Sequence, residues 1–252
     1  MIAPLDFLLL LIAAFGAGCV NAIAGGGSIF TFPVLLAVGV PPVSANITNT
    51  VALCPGYVGG VVGQWRDLAG QGRRLAILLP VAALGGVIGA WLLTRTSDRT
   101  FMTLVPALVL AASALLAVQE PLRRRLSGGT RRIALGWAIA PVAIAAVYGG
   151  YFGAGVSVIF LALIGIAIED SLTRLNALKQ AMSLAANVTA ALYFATSGGI
   201  VWPIAGVMAV GALAGGAAGG RLASLVRPGT LRVVVVVGGL VLAGYFAFEA
   251  AA

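Results

Sequence analysis

Residues 21–40 read Asn-Ala-Ile-Ala-Gly-Gly-Gly-Ser-Ile-Phe-Thr-Phe-Pro-Val-Leu-Leu-Ala-Val-Gly-Val: a polar residue, three glycines, then an apolar run from 28 to 40. As helix that run is about 20 Å long, against a hydrocarbon layer of about 30 Å. A second short run, 156–168, follows Gly153-Ala-Gly155. Either these pieces cross as broken helices or they enter and turn back. The choice sets the sense of every later segment.

The whole chain has the composition of a bilayer protein. Of 252 residues 61% are hydrophobic and 9% charged, whereas a soluble domain is about one quarter charged. A water-soluble core is excluded, and an all-α integral membrane protein is expected. Charges and Gly/Pro clusters delimit ten apolar segments, near 5–24, 28–40, 44–65, 74–94, 100–118, 133–152, 156–168, 172–197, 200–220 and 231–249. Met1 to Leu11 carries no Lys or Arg before its apolar run, so the first segment reads as a retained helix, not a cleaved signal. If all ten cross, every Lys and Arg except Arg95 and Arg99 falls on one side. If the short pieces turn back, the same residues divide almost evenly. Basic residues concentrate on the cytoplasmic side, so ten crossings are expected, with both termini outside.

The halves resemble each other. Gly27 and Gly39 recur as Gly153 and Gly165, Asn49 as Asn176, and Gly85, Gly86 and Gly89 as Gly215, Gly216 and Gly219. Five crossings is an odd number, so the second copy inserts upside down. The expectation is two inverted-topology repeats, 1–118 and 133–252, joined by a basic cytoplasmic linker, 119–132, with a binding site where the repeats meet near the midplane.

Several chemistries are missing. Histidine is absent, which removes Ser-His-Asp and Cys-His catalysis and the commonest metal ligand. Cys19 and Cys54 lie far apart in apolar runs and read as small packing residues. Gly25 to Ser28 lacks the lysine of a phosphate-binding loop. No enzyme, cofactor, metal or nucleic-acid partner is expected. The net charge of +8 reads as topology and as contact with anionic lipid.

Gly25, Gly26, Gly27 and Ser28 open a short helix whose free N–H groups can hold an anion, and Gly153, Gly155 and Ser157 repeat the arrangement. The alternative is a tight turn that packs closely. Asn21, Asn49 and Thr50 place polar groups in hydrocarbon, to join helices or to touch solute, whereas Thr48 can back-bond to its own helix. Asn176, Gln180, Ser183 and Asn187 share one helix face, as the wall of a path would. Arg174 and Lys179 are either substrate contacts or plain cytoplasmic anchors, and Lys179 is the deeper. Glu169 and Asp170 either neutralise these cations or cap the helix, with capping the favoured role. Pro33, Pro55, Pro80, Pro106, Pro141 and Pro203 read as kinks, with Pro33 tied to the site. Gly56/Gly60, Gly85/Gly89 and Gly211/Gly215/Gly219 permit close helix approach, within the subunit or in a homodimer.

The run Asn21 to Pro33, then Gly39-Val-Pro-Pro and Ala45-Asn-Ile-Thr-Asn-Thr50, resembles the first-half signature of the TauE/SafE sulfite exporter family. Gly153-Ala-Gly155, Gly165 and Arg174-Leu-Asn-Ala-Leu-Lys179 are similar to its weaker second copy, although Pro33 has no counterpart and Ala154 replaces Gly26. The resemblance implies a carrier that moves sulfite or a small organosulfur anion across the bacterial-type inner membrane, usually outward. A passive anion channel on the same scaffold is the alternative.

Overall fold

The computed structural model describes residues 3–23, 26–126 and 135–222, with four more positions between 237 and 244. Gly25, the stretch 127–134 and nearly all of the expected tenth segment, 231–249, lie outside the described residues. Among those described, every regular element is helical: α1 Pro4–Ile23, α2 Ser28–Ala37, α3 Pro42–Gly63, a short 3-10 turn Trp65–Leu68, α4 Gly72–Thr94, α5 Asp98–Leu126, α6 Leu135–Tyr151, α7 Val156–Ala167, α8 Leu172–Ser197 and α9 Trp202–Leu222.

Only α1, α4 and α9 are both long and apolar enough to cross a membrane by length and composition. At 22 and 26 residues α3 and α8 are also long enough, about 33 and 39 Å, but Asn, Thr, Gln and Ser dilute them. Packing explains the difference. α3 buries Asn46, Thr48, Asn49 and Thr50, and α8 buries Lys179, Gln180, Ser183 and Asn187, while Leu5, Leu8 and Ile12 of α1, Leu84 and Ile88 of α4, Trp137 and Ile144 of α6 and Val210 of α9 are exposed. The exposed positions are apolar, and the polar side chains of α3 and α8 are turned inward among two apolar core clusters, as a multi-pass membrane bundle allows. α5 runs eight residues beyond the apolar limit at 118, through Pro121. Pro33, Pro55, Pro80 and Pro141 all sit inside continuous helices.

The main packing pairs are α1 with α9, α4 with α6, α4 with α8, and α3 with both α8 and α9. Glycines set these seams. A Cβ on Gly86 would lie 2.9 Å from Ala186 Cα, one on Gly85 3.0 Å from the Ala143 carbonyl oxygen, and one on Gly219 2.7 Å from Cys19 Cα. Gly89 abuts Val147 and Tyr151, and Gly215 abuts Phe15. The repeated glycines therefore pack inside the subunit.

The same contacts fix direction. Gly211, Gly215 and Gly219 meet Leu11, Phe15 and Cys19 in rising order, so α1 and α9 run parallel. Thr48 meets Val201 and Gly56 meets Ala212, so α3 runs with them. Asn176 bonds Gln64, Gln180 lies on Gly60 and Gly199 approaches Ile47, so α8 runs the other way. With α1 and α3 parallel, the chain returns between them, and α2 supplies about 15 Å of that return.

Candidate functional site

The first break folds α2 back along α1. A Cβ at Gly27 would lie 2.8 Å from Ala17 Cα, six residues before the end of α1 and hence about 9 Å inside it. Gly26 takes φ +87 to make the turn, a conformation that costs a side chain-bearing residue about 1–2 kcal/mol. The Gly27 N–H donates to Asn21 Oδ1 at 2.8 Å, so Asn21 holds the turn. In this structure that N–H is occupied by the protein itself. Ile29 and Phe30 donate back to the Gly26 and Gly27 carbonyls, and Ser28 is buried. Pro33 is half-buried, one turn further along α2.

The second break is built alike. Gly153 and Gly155 have φ +78 and +73, the Gly153 N–H caps the Tyr148 carbonyl at 3.2 Å, and Tyr148 Oη donates to the Ala154 carbonyl at 2.7 Å. Gly155 precedes α7, which opens with buried Val156 and Ser157. Phe32 of α2 meets Phe152, the residue before Gly153, at 5.7 Å between ring centroids. That contact joins α2 to the second break.

The polar side chains fall into two layers. In one, Thr31 of α2 donates to Asn49 Oδ1 at 2.7 Å, Asn46 Nδ2 donates to the Tyr151 carbonyl at 2.8 Å, and Thr50 back-bonds to the Asn46 carbonyl. The expected roles of Thr48 and Thr50 are exchanged: Thr50 satisfies its own helix, while Thr48 accepts the Val201 N–H at 3.0 Å. In the other layer, on α8, Asn176 Nδ2 donates to Gln64 Oε1 at 2.8 Å, Gln180 lies over the bare backbone of Gly60, and Asn187 Nδ2 donates to the Ser183 carbonyl. The pairing of Gln64 with Asn176 and of Gly60 with Gln180 places Lys179 level with position 61 of α3. Asn49 is twelve residues away along α3, about 18 Å. The structure thus separates Asn49 and Thr50 from Lys179, Gln180 and Ser183.

Lys179 is 1% exposed and, among the described residues, has no hydrogen bond or ion pair. It lies between the α8 face carrying Leu175, Leu178 and Met182, which packs on α4, α6 and α7, and the Asn176–Gln180–Ser183 face turned to α3. Gln180 Oε1 and Ser183 Oγ near it on the helix are buried with no partner among the described residues, as is Asn46 Oδ1 in the other layer. A buried cation and two orphaned polar groups within little more than one helical turn are costly unless something pairs with them. An oxyanion fits: it would accept from the ammonium and the hydroxyl, and from the amide turned to present its NH2.

Below Lys179 a polar seam joins α8 to the segment before α4. Asp170 binds Arg74 Nη1 and lies 3.0 Å from Arg174 Nε. Arg174 Nη1 donates to the Ala69 carbonyl at 2.9 Å. Gln71, 1% exposed, donates through Nε2 to the Asp67 and Arg174 carbonyls and accepts from Arg74. Partial burial pushes the Asp170 carboxyl up, but hydrogen bonds from Arg74, the Ser171 N–H and Arg174 outweigh it and hold the group below the usual carboxylate range. Of the two roles open to Asp170, capping α8 was favoured over neutralising its cations, and the structure shows the second, at Arg174. Ser171 is the cap, accepting the Arg174 N–H, and Asp170 is free to clamp two arginines. Gln64, Gln71, Thr31, Tyr148 and Tyr151 were not singled out from sequence; the bonds of Gln64 to Asn176, Gln71 to Arg174 and Tyr151 to Asn46 join residues a hundred or so positions apart.

Comparison with known proteins follows this geometry. The family model for sulfite exporter TauE/SafE matches residues 10–246. The chain is 24% identical over 238 residues to the probable membrane transporter protein YfcA of Escherichia coli (strain K12), covering 90% of this chain and 86% of the relative. It is 26% identical over 240 residues to a probable membrane transporter protein of Haemophilus influenzae, covering 92% and 91%. A probable membrane transporter protein ORF9 of Sinorhizobium sp is 26% identical over 241 residues, covering 93% and 89%. No solved structure matches the chain.

Proposed function

The chain belongs to the sulfite exporter TauE/SafE family, and from that premise we propose that it is a secondary transporter that exports sulfite or a small organosulfur anion by alternating access. It is a multi-pass membrane protein; the bacterial-type inner membrane, with both termini outside, is the location that the charge distribution and the family support. The observation that carries the reading is Lys179, a side chain enclosed in the bundle with no counter-ion among the described residues, near the Gln180 Oε1 and Ser183 Oγ atoms that also lack a partner among them. A bound oxyanion completes that set. Asn176 and Asn187 extend it along α8, and Arg174 leads to it.

An inverted repeat is supported by an exchange of partners. Renaming α1–α4 as α6–α9, and the reverse, turns the α1–α9 pair into α6–α4, α3–α9 into α8–α4 and α1–α2 into α6–α7, all of which are present. The glycines obey the same exchange: Gly85 and Gly89 rest on α6 as Gly215 and Gly219 rest on α1, and Gly86 rests on α8 as Gly216 rests on α3. Parallel α1 and α3 favour short segments that cross. The breaks at Gly26–Gly27 and Gly153–Gly155 serve in this reading as the bends about which α2 and α7 move, with Asn21 and Asn49 bracing the first of them.

Counterflow tests the proposal. Proteoliposomes loaded with unlabelled sulfite are expected to accumulate external labelled sulfite transiently, and K179Q is expected to lose the overshoot while inserting normally. Flux without an overshoot would indicate a channel.

A further inference from the structure

We propose that Arg74 and Arg174 form a docking station for a small oxyanion at the mouth of the path, and that the Asp170 carboxylate occupies it here as a built-in competitor. The inference rests on the transport reading and adds the place where the anion first docks. It departs from the sequence reading at Arg74, which there served as a topology signal alone.

Three observations converge. First, guanidinium groups from the two halves of the chain, Arg74 at the start of α4 and Arg174 at the start of α8, meet on one carboxylate, and among the described residues neither pairs with another. A carboxylate and a sulfur oxyanion offer a guanidinium the same thing, two adjacent oxygens able to accept parallel N–H groups. Second, the cluster carries two positive charges against one negative, so an arriving anion meets a net attraction. The arginine side chains are 27% and 32% exposed and therefore reachable from water, unlike Lys179. Third, Arg174 stands five residues before Lys179 on the same helix, about 7.5 Å along its axis and about 140° around it, so the next cation lies little more than one turn deeper.

Displacement of Asp170 also changes the seam. The carboxylate is the ionic tie between α4 and α8. Once an anion has taken its place on the arginines, the polar seam at the mouth rests on the Gln71 bonds to the Asp67 and Arg174 carbonyls and the Arg174 bond to Ala69, while the deeper packing of α4 on α8 and the Thr189–Ala83 bond are unchanged.

Calorimetric titration of the purified full chain with sodium sulfite at fixed ionic strength tests this. The K179Q background isolates the mouth from the deeper site. In that background D170N is expected to tighten sulfite binding by roughly threefold to tenfold, the range that release of a partly exposed ion pair allows. R74Q with R174Q is expected to abolish the remaining binding, and D170E to keep the parent affinity. D170S serves if D170N does not fold. Unchanged or weaker binding in D170N or D170S would overturn the inference and leave a purely structural clamp. The two readings fail separately: absent counterflow with tightened D170N binding removes the transport proposal, and intact counterflow with unaltered affinity removes the docking station.

Discussion

Replacing Lys179 by methionine is expected to move stability and transport in opposite directions. The side chain is enclosed, with no partner among the described residues, so the empty protein bears the cost of keeping an ammonium group out of water without the return that an ion pair gives. Methionine keeps most of the volume and removes the charge. Exchanging buried ionic groups for apolar ones of similar size stabilises by about 1–4 kcal/mol, which for a chain of this size raises the melting temperature by on the order of 5 °C. The same change deletes a charge-assisted bond to the anion, about 1.5–3 kcal/mol, so binding should weaken roughly tenfold to a hundredfold. Thermal melting in detergent and counterflow on one preparation measure both. A variant that melts lower yet transports normally would show that Lys179 only holds the bundle together, and the binding argument built on it would fall.

Other expectations follow from the same geometry. Gly27→Val should abolish counterflow in protein that still inserts, because a Cβ there meets the Ala17 backbone and forces α2 away from α1; undiminished flux would contradict the break as described. Gly86→Ala should lower the melting temperature by the equivalent of about 1–3 kcal/mol, since the atom it would meet belongs to the Ala186 backbone. The Asp170 carboxyl is held below its ordinary value, so the clamp contributes fully above the unfolded carboxylate's titration near pH 4 and is lost as pH falls through the depressed value. Melting followed downward from neutral pH should show that loss in the wild type and lack it in D170N. Reporter fusions at Met1 and Ala252 should both report the outside, and a cytoplasmic signal from either would break the ten-crossing count.

Sequence carried the α8 stripe well. The spacing of Asn176, Gln180, Ser183 and Asn187 is a helical property, and burial of a polar face follows from the lipid around it. The repeated glycines were legible for the same reason: a residue without a side chain in a long apolar helix marks close approach. What could not be read was register between distant segments. Asn49 and Asn176 match in sequence, yet the starts of α3 at Pro42 and α8 at Leu172 put Asn46 and Asn176 in equivalent positions. The pairing of Asp170 with Arg174 was one of its two open roles, but its second partner Arg74 and the place of Gln71 at the centre of a seam depend on residues brought together only by tertiary packing. The amide of Gly27, a reasonable anion donor on paper, is taken by Asn21, because an asparagine six residues upstream reaches it once the chain has doubled back.

The exchange of partners between the halves has a consequence for biosynthesis. α1 finds its mate in α9 and α4 finds its mate in α6, so the amino-terminal helices emerge from the ribosome with bare glycine surfaces that nothing yet covers. Until the second half has been threaded into the bilayer, those surfaces face lipid, and the nascent chain is open to capture by wrong neighbours. Assembly must therefore wait for the last helices, and two fragments cut between α5 and α6 should each be proteolysed when made alone but protect each other when made in the same cell.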